Sequence, residues 1–268
     1  MSFSDIGTIL DDRINPIAIK EMRQAVKGRF IGWVLMIYLM IQVGVIGLVL
    51  LFNEDLTTDF NAGRDVFLGL LGVLLGTCLL IIPAFTAVRL SAERSEKNMD
   101  LLFFTELTPA SIIWGKLSSA LVLTLLLFMA SLPFMTLTYM LRGLDIPSMF
   151  IMLGLDFLVV AASIQLGILF GSLPGGLISR GFRLLMGLAL LSSIFSATMA
   201  TTGQMLFSGI GTAVGSWEFW AAAGTTVGFI VMSIGLMFVV STTTIAPASS
   251  NKSVLPRLYL LGMWALTG

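Results

Sequence analysis

One carboxylate stands far from any other charge. Asp156 lies inside the apolar run 149–172. An ionisable side chain at membrane depth is expensive and normally faces a bundle interior, a water-filled cavity or a partner. Asp156 sits about eight residues, or roughly 12 Å, from one end of its run at the helical rise per residue. Two readings stand level: a pathway-lining carboxylate, or a protonated structural Asp with a hydrogen-bond partner. Ser163 shares its helical face and Gln165 does not. Gln42, in an earlier apolar run, is of the type that bonds one helix to the next. The second place with chemical content is the stretch Arg89 to Lys116, RLSAERSEKNMDLLFFTELTPASIIWGK. Glu93, Arg94, Glu96 and Asp100 are charged, yet Leu101-Leu102-Phe103-Phe104 follows directly, which water would not tolerate on an ordinary surface loop. Charges around an apolar middle read as short helices lying on a membrane surface or docked on a partner. Thr108 is the expected N-cap of the second such helix and Pro109 its first residue, where the missing N–H costs nothing.

Much chemistry is excluded. The chain contains no histidine, which removes histidine-ligated zinc and haem, Ser-His hydrolysis and histidine proton relays. The single Cys78 lies in an apolar run and reads as a small packing residue. No G-x-x-x-x-G-K-[ST] sequence occurs, so no nucleotide is expected to bind in a P-loop here. No basic face is present for nucleic acid. No metal, cofactor or enzymatic activity is expected of this chain.

The elements that must position these residues follow from composition. The 268 residues are 57% hydrophobic and 11% charged, with a mean hydropathy of +0.99, whereas soluble domains carry roughly 25% charged residues. The expected fold is an all-α polytopic membrane protein. Six runs reach the roughly 20 residues a bilayer requires, at about 30–52, 66–88, 117–141, 149–172, 184–206 and 218–240. With the N-terminus inside, 13 of the 15 Lys and Arg are cytosolic, and only Arg64 and Arg142 fall outside. The outer loops carry Glu54, Asp55, Asp59, Asp65, Asp145 and Glu218. That asymmetry predicts a cytosolic N-terminus.

Residues 1–29 form a polar cytosolic segment without the apolar core of a cleavable signal. Within it Asn15 and Pro16 start a short helix with Ile19, Met22 and Val26 on one face, expected to lie on the inner leaflet through its basic residues. Residues 30–240 form the six-helix domain, with the loop 89–116 inside it. Residues 241–268 form a cytosolic tail ending in LYLLGMWALTG. That apolar end is too short to span and is expected to lie at the interface or to begin a further, truncated membrane segment. Gly72/Gly76 and Gly167/Gly171 each form a GxxxG, a weak signal for close helix packing.

The 89–116 stretch resembles the cytosolic loop between the second and third helices of ABC-2-type transporter permeases. Glu93-Arg94 matches the opening of that family pattern and Asp100-Leu101-Leu102 its acidic-leucine step. Thr105, Leu107, Thr108 and Pro109 match its middle, and Ile112, Gly115 and Lys116 its end. Lys97, Asn98 and Glu106 depart from it, standing for Gly, Thr and Pro. The N-terminal NPIAIKEMRQ, with Asn15, Pro16, Glu21 and Arg23, is similar to the family's interface-helix pattern. The resemblance implies a permease subunit of an ABC exporter in a prokaryotic inner (plasma) membrane. It implies coupling helices in 89–116 that dock on a separate ATPase subunit, and a second permease copy or paralogue completing the path. It also implies a re-entrant hairpin between the fifth and sixth spans, where SGIGTAVGSW leaves little room. The other reading is an ATP-independent ion- or proton-coupled carrier using Asp156. An intramembrane enzyme would need clustered nucleophiles or ligands at membrane depth, and the sequence has one Asp, one Cys and no His there.

Overall fold

The computed structural model describes residues 29–52, 62–95, 108–140, 145–208, 214–246 and 252–267. Among them are helices and turns with no strand. In chain order the helices are α1 (Arg29–Phe52), α2 (Ala62–Gly76), a π-helical turn (Thr77–Ile81) and α3 (Ile82–Ser95). Then follow α4 (Pro109–Met140), α5 (Ile146–Ser172), α6 (Leu177–Ser208), α7 (Trp217–Ile245) and α8 (Val254–Thr267). Six helical segments are long and apolar enough to cross a membrane, with α2, the π turn and α3 acting as one of them. The expected helical fold, with six helices long and apolar enough to cross a membrane, is therefore present among the described residues.

The helices outrun the apolar segments that mark them. The second span continues to Ser95, and the third begins at Pro109 and runs unbroken for 32 residues. At 1.5 Å per residue α4 is about 48 Å long, well beyond the ~30 Å hydrocarbon core. This corrects one expectation. The second short surface helix, starting at Thr108-Pro109, is not separate from the third span but is its first turns. Backbone hydrogen bonds are satisfied internally whether the side chains are apolar or charged, so a helix need not stop where hydropathy does. The first surface helix, with Glu96, Asp100, Leu101 and Leu102, lies outside the described residues. So do the interface helix around Asn15, Pro16, Glu21 and Arg23, and residues 209–213 of the SGIGTAVGSW segment where a re-entrant hairpin is expected.

The second span and α5 form the centre of the bundle. Leu70, Leu71, Leu74, Leu75 and Leu79 of the second span are fully buried, as are Val160, Ile164 and Ile168 of α5. Gly167 and Gly171 explain how closely the two approach. A Cβ on Gly167 would stand 2.5 Å from the Pro83 carbonyl oxygen, and one on Gly171 2.7 Å from that of Ala87. Only glycine lets backbone meet backbone here. The Gly72/Gly76 pair does no such work, since a Cβ there would meet only the tips of Met199 and Phe195 at 3.5 and 3.9 Å. The π turn precedes Pro83, whose ring lacks an N–H and crowds the carbonyl four residues back. A one-turn π widening absorbs that clash without ending the helix.

Burial falls away from this centre. On α1, Trp33, Ile37, Met40 and Leu48 are exposed, and on α7 the buried residues are confined to its last turns, at Ser241, Thr242 and Ile245. In a bilayer such apolar faces meet lipid tails or another helix bundle. The tail helix α8 docks on α7, where the Tyr259 hydroxyl donates to the Met232 carbonyl at 2.9 Å and its ring closes over Gly235. Met232 lies about 20 Å of helical rise before the end of α7. Hence α8 folds back along α7 rather than lying away from the bundle.

Candidate functional site

The two ends of the 89–116 stretch meet. Glu93, near the end of α3, accepts a 2.7 Å ion pair from Nζ of Lys116 in the third turn of α4. Arg89, one turn earlier on α3, places its Nε 3.4 Å from the other Glu93 oxygen. Lys116 is the unusual member, because its side chain is only 6% exposed while that of Glu93 is 37% exposed. A buried ammonium requires a counter-charge, and Glu93 supplies it. The pair therefore ties the second span to the third at the point where both leave the bundle. Around it, Ile112, Ile113 and Leu117 of α4 and Leu90 of α3 are buried.

The start of α4 forms as its residue types require. Thr108 accepts the Ser111 N–H on its hydroxyl at 3.3 Å and on its carbonyl at 3.0 Å, and Pro109 is the first helical residue. The cap fixes where residues 96–107 rejoin the bundle. Gly115 is buried beside Lys116, and Trp114 packs edge-on against Phe238 of α7 with ring centroids 6.2 Å apart. Thus Glu93, Thr108, Pro109, Gly115 and Lys116 stand together at one end of the bundle. Arg94 belongs to α3, while Glu96, Asp100, Leu101 and Leu102 fall outside the described residues.

Asp156 is elsewhere, on the face of α5 toward α6. It is 3% exposed, and one carboxylate oxygen accepts from the Thr202 hydroxyl at 3.2 Å. The other oxygen, Oδ2, is buried with no hydrogen-bond partner among the described residues. The two centres lie in opposite halves of the bundle, since Asp156 is the eleventh of the 27 residues of α5 and Lys116 the eighth of the 32 of the antiparallel neighbour α4. Ser163 does not join Asp156, because its hydroxyl bonds back to the Val159 carbonyl. Gln165 turns to α7, its amide 3.5 Å from the Ser241 hydroxyl. Gln42 links α1 to α2, donating to the Tyr38 hydroxyl at 2.7 Å and the Leu70 carbonyl at 3.3 Å.

Sequence reasoning missed Thr202 as the partner of Asp156. The available signal was the density of hydroxyl residues in α6, from Ser192 to Thr202. Arg183 lies in the second turn of α6, close to the turn after α5. In the structure the guanidinium donates to the Leu173 carbonyl at 3.2 Å and to the Pro174 carbonyl at 2.9 Å, just past the end of α5. A cation there favours the negative end of the helix dipole. A Cβ at Gly175 would collide with that guanidinium and with the Ser179 hydroxyl, so the clamp needs glycine.

No metal-binding cluster of His, Cys, Asp or Glu occurs among the described residues. Comparison with protein-family models, with curated proteins and with solved structures yields no match. The functional reading therefore rests on the residues themselves.

Proposed function

We propose that the chain is the permease subunit of an ABC transporter, working as an exporter and driven by a separate ATPase subunit that docks on residues 89–116. The observation that carries this reading is the Glu93–Lys116 pair. It sits where the two flanks of the loop re-enter the bundle and fastens the second span to the third. A push on residues 96–107 would therefore move both spans together, which is what a coupling element must do. The apolar run Leu101–Phe104 supplies a surface for a partner, and the absence of a P-loop sequence assigns ATP hydrolysis to that partner. Six spans make half of a translocation path, completed by a second copy or a related permease. The basic residues Arg89, Lys116, Arg180, Arg183 and Lys252, all at this end of the bundle, support an orientation in which this end and the N-terminus face the cytosolic side of an inner membrane.

The test is co-purification in mild detergent with each ABC ATPase encoded in the same genome. One ATPase is expected to remain bound to the intact chain and to be lost when Leu101–Phe104 is changed to serine. An intact chain that retains none of them defeats the proposal.

Asp156 supports a second reading, an ion- or proton-coupled carrier without ATP. Its buried Oδ2 has no hydrogen-bond partner among the described residues, and carboxylates at such depth often carry protons or cations. The two readings separate on substitution. Asp156→Asn retains the acceptor for Thr202 and leaves transport intact in an ATP-driven permease, whereas it stops a carrier. Glu93→Ala has the reverse pattern.

A further inference from the structure

A groove of about 220 Å³ lies between α3, α5 and α6. Its walls are apolar: Ala84 and Val88 of α3, Leu166 and Phe170 of α5, Leu184 and Leu188 of α6. The α6 wall runs from Arg183 to Leu191, about 12 Å of rise at the helical spacing. The groove therefore extends along the helices from the α5–α6 turn toward the bundle middle, the direction in which an acyl chain lies in a bilayer. Arg183 lines the end at the turn. Arg180 lies three residues earlier on the same helix and hence on the same face. Neither forms an ion pair with any described residue. Among the described residues the Arg183 guanidinium meets neutral acceptors, the two carbonyls after α5 and the Ser179 hydroxyl, and no carboxylate.

An apolar slot ended by two cations that no described carboxylate neutralises, at the level where two spans turn, is complementary to one amphiphile. We propose that this groove binds an anionic phospholipid of the adjacent leaflet. One acyl chain lies between α3, α5 and α6, and the phosphate is held at Arg180 and Arg183. Basic clefts between membrane helices recognise lipid headgroups on the same physical grounds. The site needs only the membrane fold and does not depend on how the loop at 89–116 is used.

The full chain, purified in detergent, is titrated with dioleoylphosphatidylglycerol or dioleoylphosphatidylcholine, and retained lipid is counted by native mass spectrometry. The intact chain is expected to retain one phosphatidylglycerol in preference to phosphatidylcholine. Arg180→Gln is expected to weaken that preference about fivefold, the effect of one cation at a membrane surface. The Arg180 side chain holds no other described group in place, so its substitution leaves the fold alone. Ala84→Leu fills the slot and is expected to abolish retention of that lipid while circular dichroism and monodispersity stay unchanged. Equal retention of the two lipids by the intact chain overturns the proposal. So does a phosphatidylglycerol preference that survives Arg180→Gln.

Discussion

Lys116 is the residue on which the 89–116 region depends, because it places an ammonium inside the bundle with Glu93 at 2.7 Å. Removing one partner of a fully buried pair costs ~3–5 kcal/mol. Glu93 is 37% exposed, so water replaces part of its effect, and Glu93→Ala is expected to cost about 1–2 kcal/mol. Lys116→Met places an apolar chain of similar length in the same site and is expected to be near neutral, because the charge that required a partner has gone. The double variant should then match Lys116→Met alone. Thermal or denaturant unfolding of all three in the same micelles measures this, and additive effects of the two substitutions would show that the pair is not coupled. The sequence offered both residues as functional candidates. It did not join them, since nothing local relates position 93 to position 116 until two spans lie side by side.

At the level of elements, the decisive contact is the backbone approach of α5 to α3. Gly167→Ala and Gly171→Ala each drive a methyl group into a carbonyl oxygen of α3, and each is expected to destabilise by about 1–3 kcal/mol as overpacking. Gly72→Ala adds a methyl group 3.5 Å from a flexible Met199 tip. It is expected to be neutral or to stabilise by up to about 1 kcal/mol, the helix preference of Ala over Gly. Unfolding of the three variants side by side decides it. Equal losses at all three would mean that the close approach is not specific to Gly167 and Gly171. Both GxxxG patterns read alike in the sequence. They part company because Gly167 and Gly171 face a backbone and Gly72 and Gly76 face long side chains. The Thr108–Pro109 start was legible because capping is local chemistry. The length of α4 was not, because the sequence reading ended helices where hydropathy changed.

For the whole molecule, the charge asymmetry makes a directional prediction. Cys78 is fully buried, so the native chain should not react with a maleimide while folded, and Cys78→Ser supplies a background for introduced cysteines. In intact cells a cysteine at Asp145 or Ser216 is expected to label with a membrane-impermeant maleimide. One at Thr108 or Lys252 should label only after permeabilisation. Labelling from outside at all four would sink the proposed orientation, as would the reverse pattern. The same experiment tests α8, because Tyr259 packs beside Met232 at depth and a cysteine there should resist labelling from either side.

Hydropathy and charge determined, with no tertiary information, that the chain is helical, that six segments can span, and which ends of those segments share a side. These properties follow from transferring each segment singly into a bilayer, a cost that each stretch of sequence meets by itself. The tertiary structure alone decided which polar groups meet. It paired Glu93 with Lys116 and Asp156 with Thr202, turned Gln165 toward α7, and opened the groove beside Arg183. Those partnerships are set by the rotation and spacing of neighbouring helices. Both depend on side chains distant in sequence, such as the missing Cβ atoms of Gly167 and Gly171 against the backbone of α3.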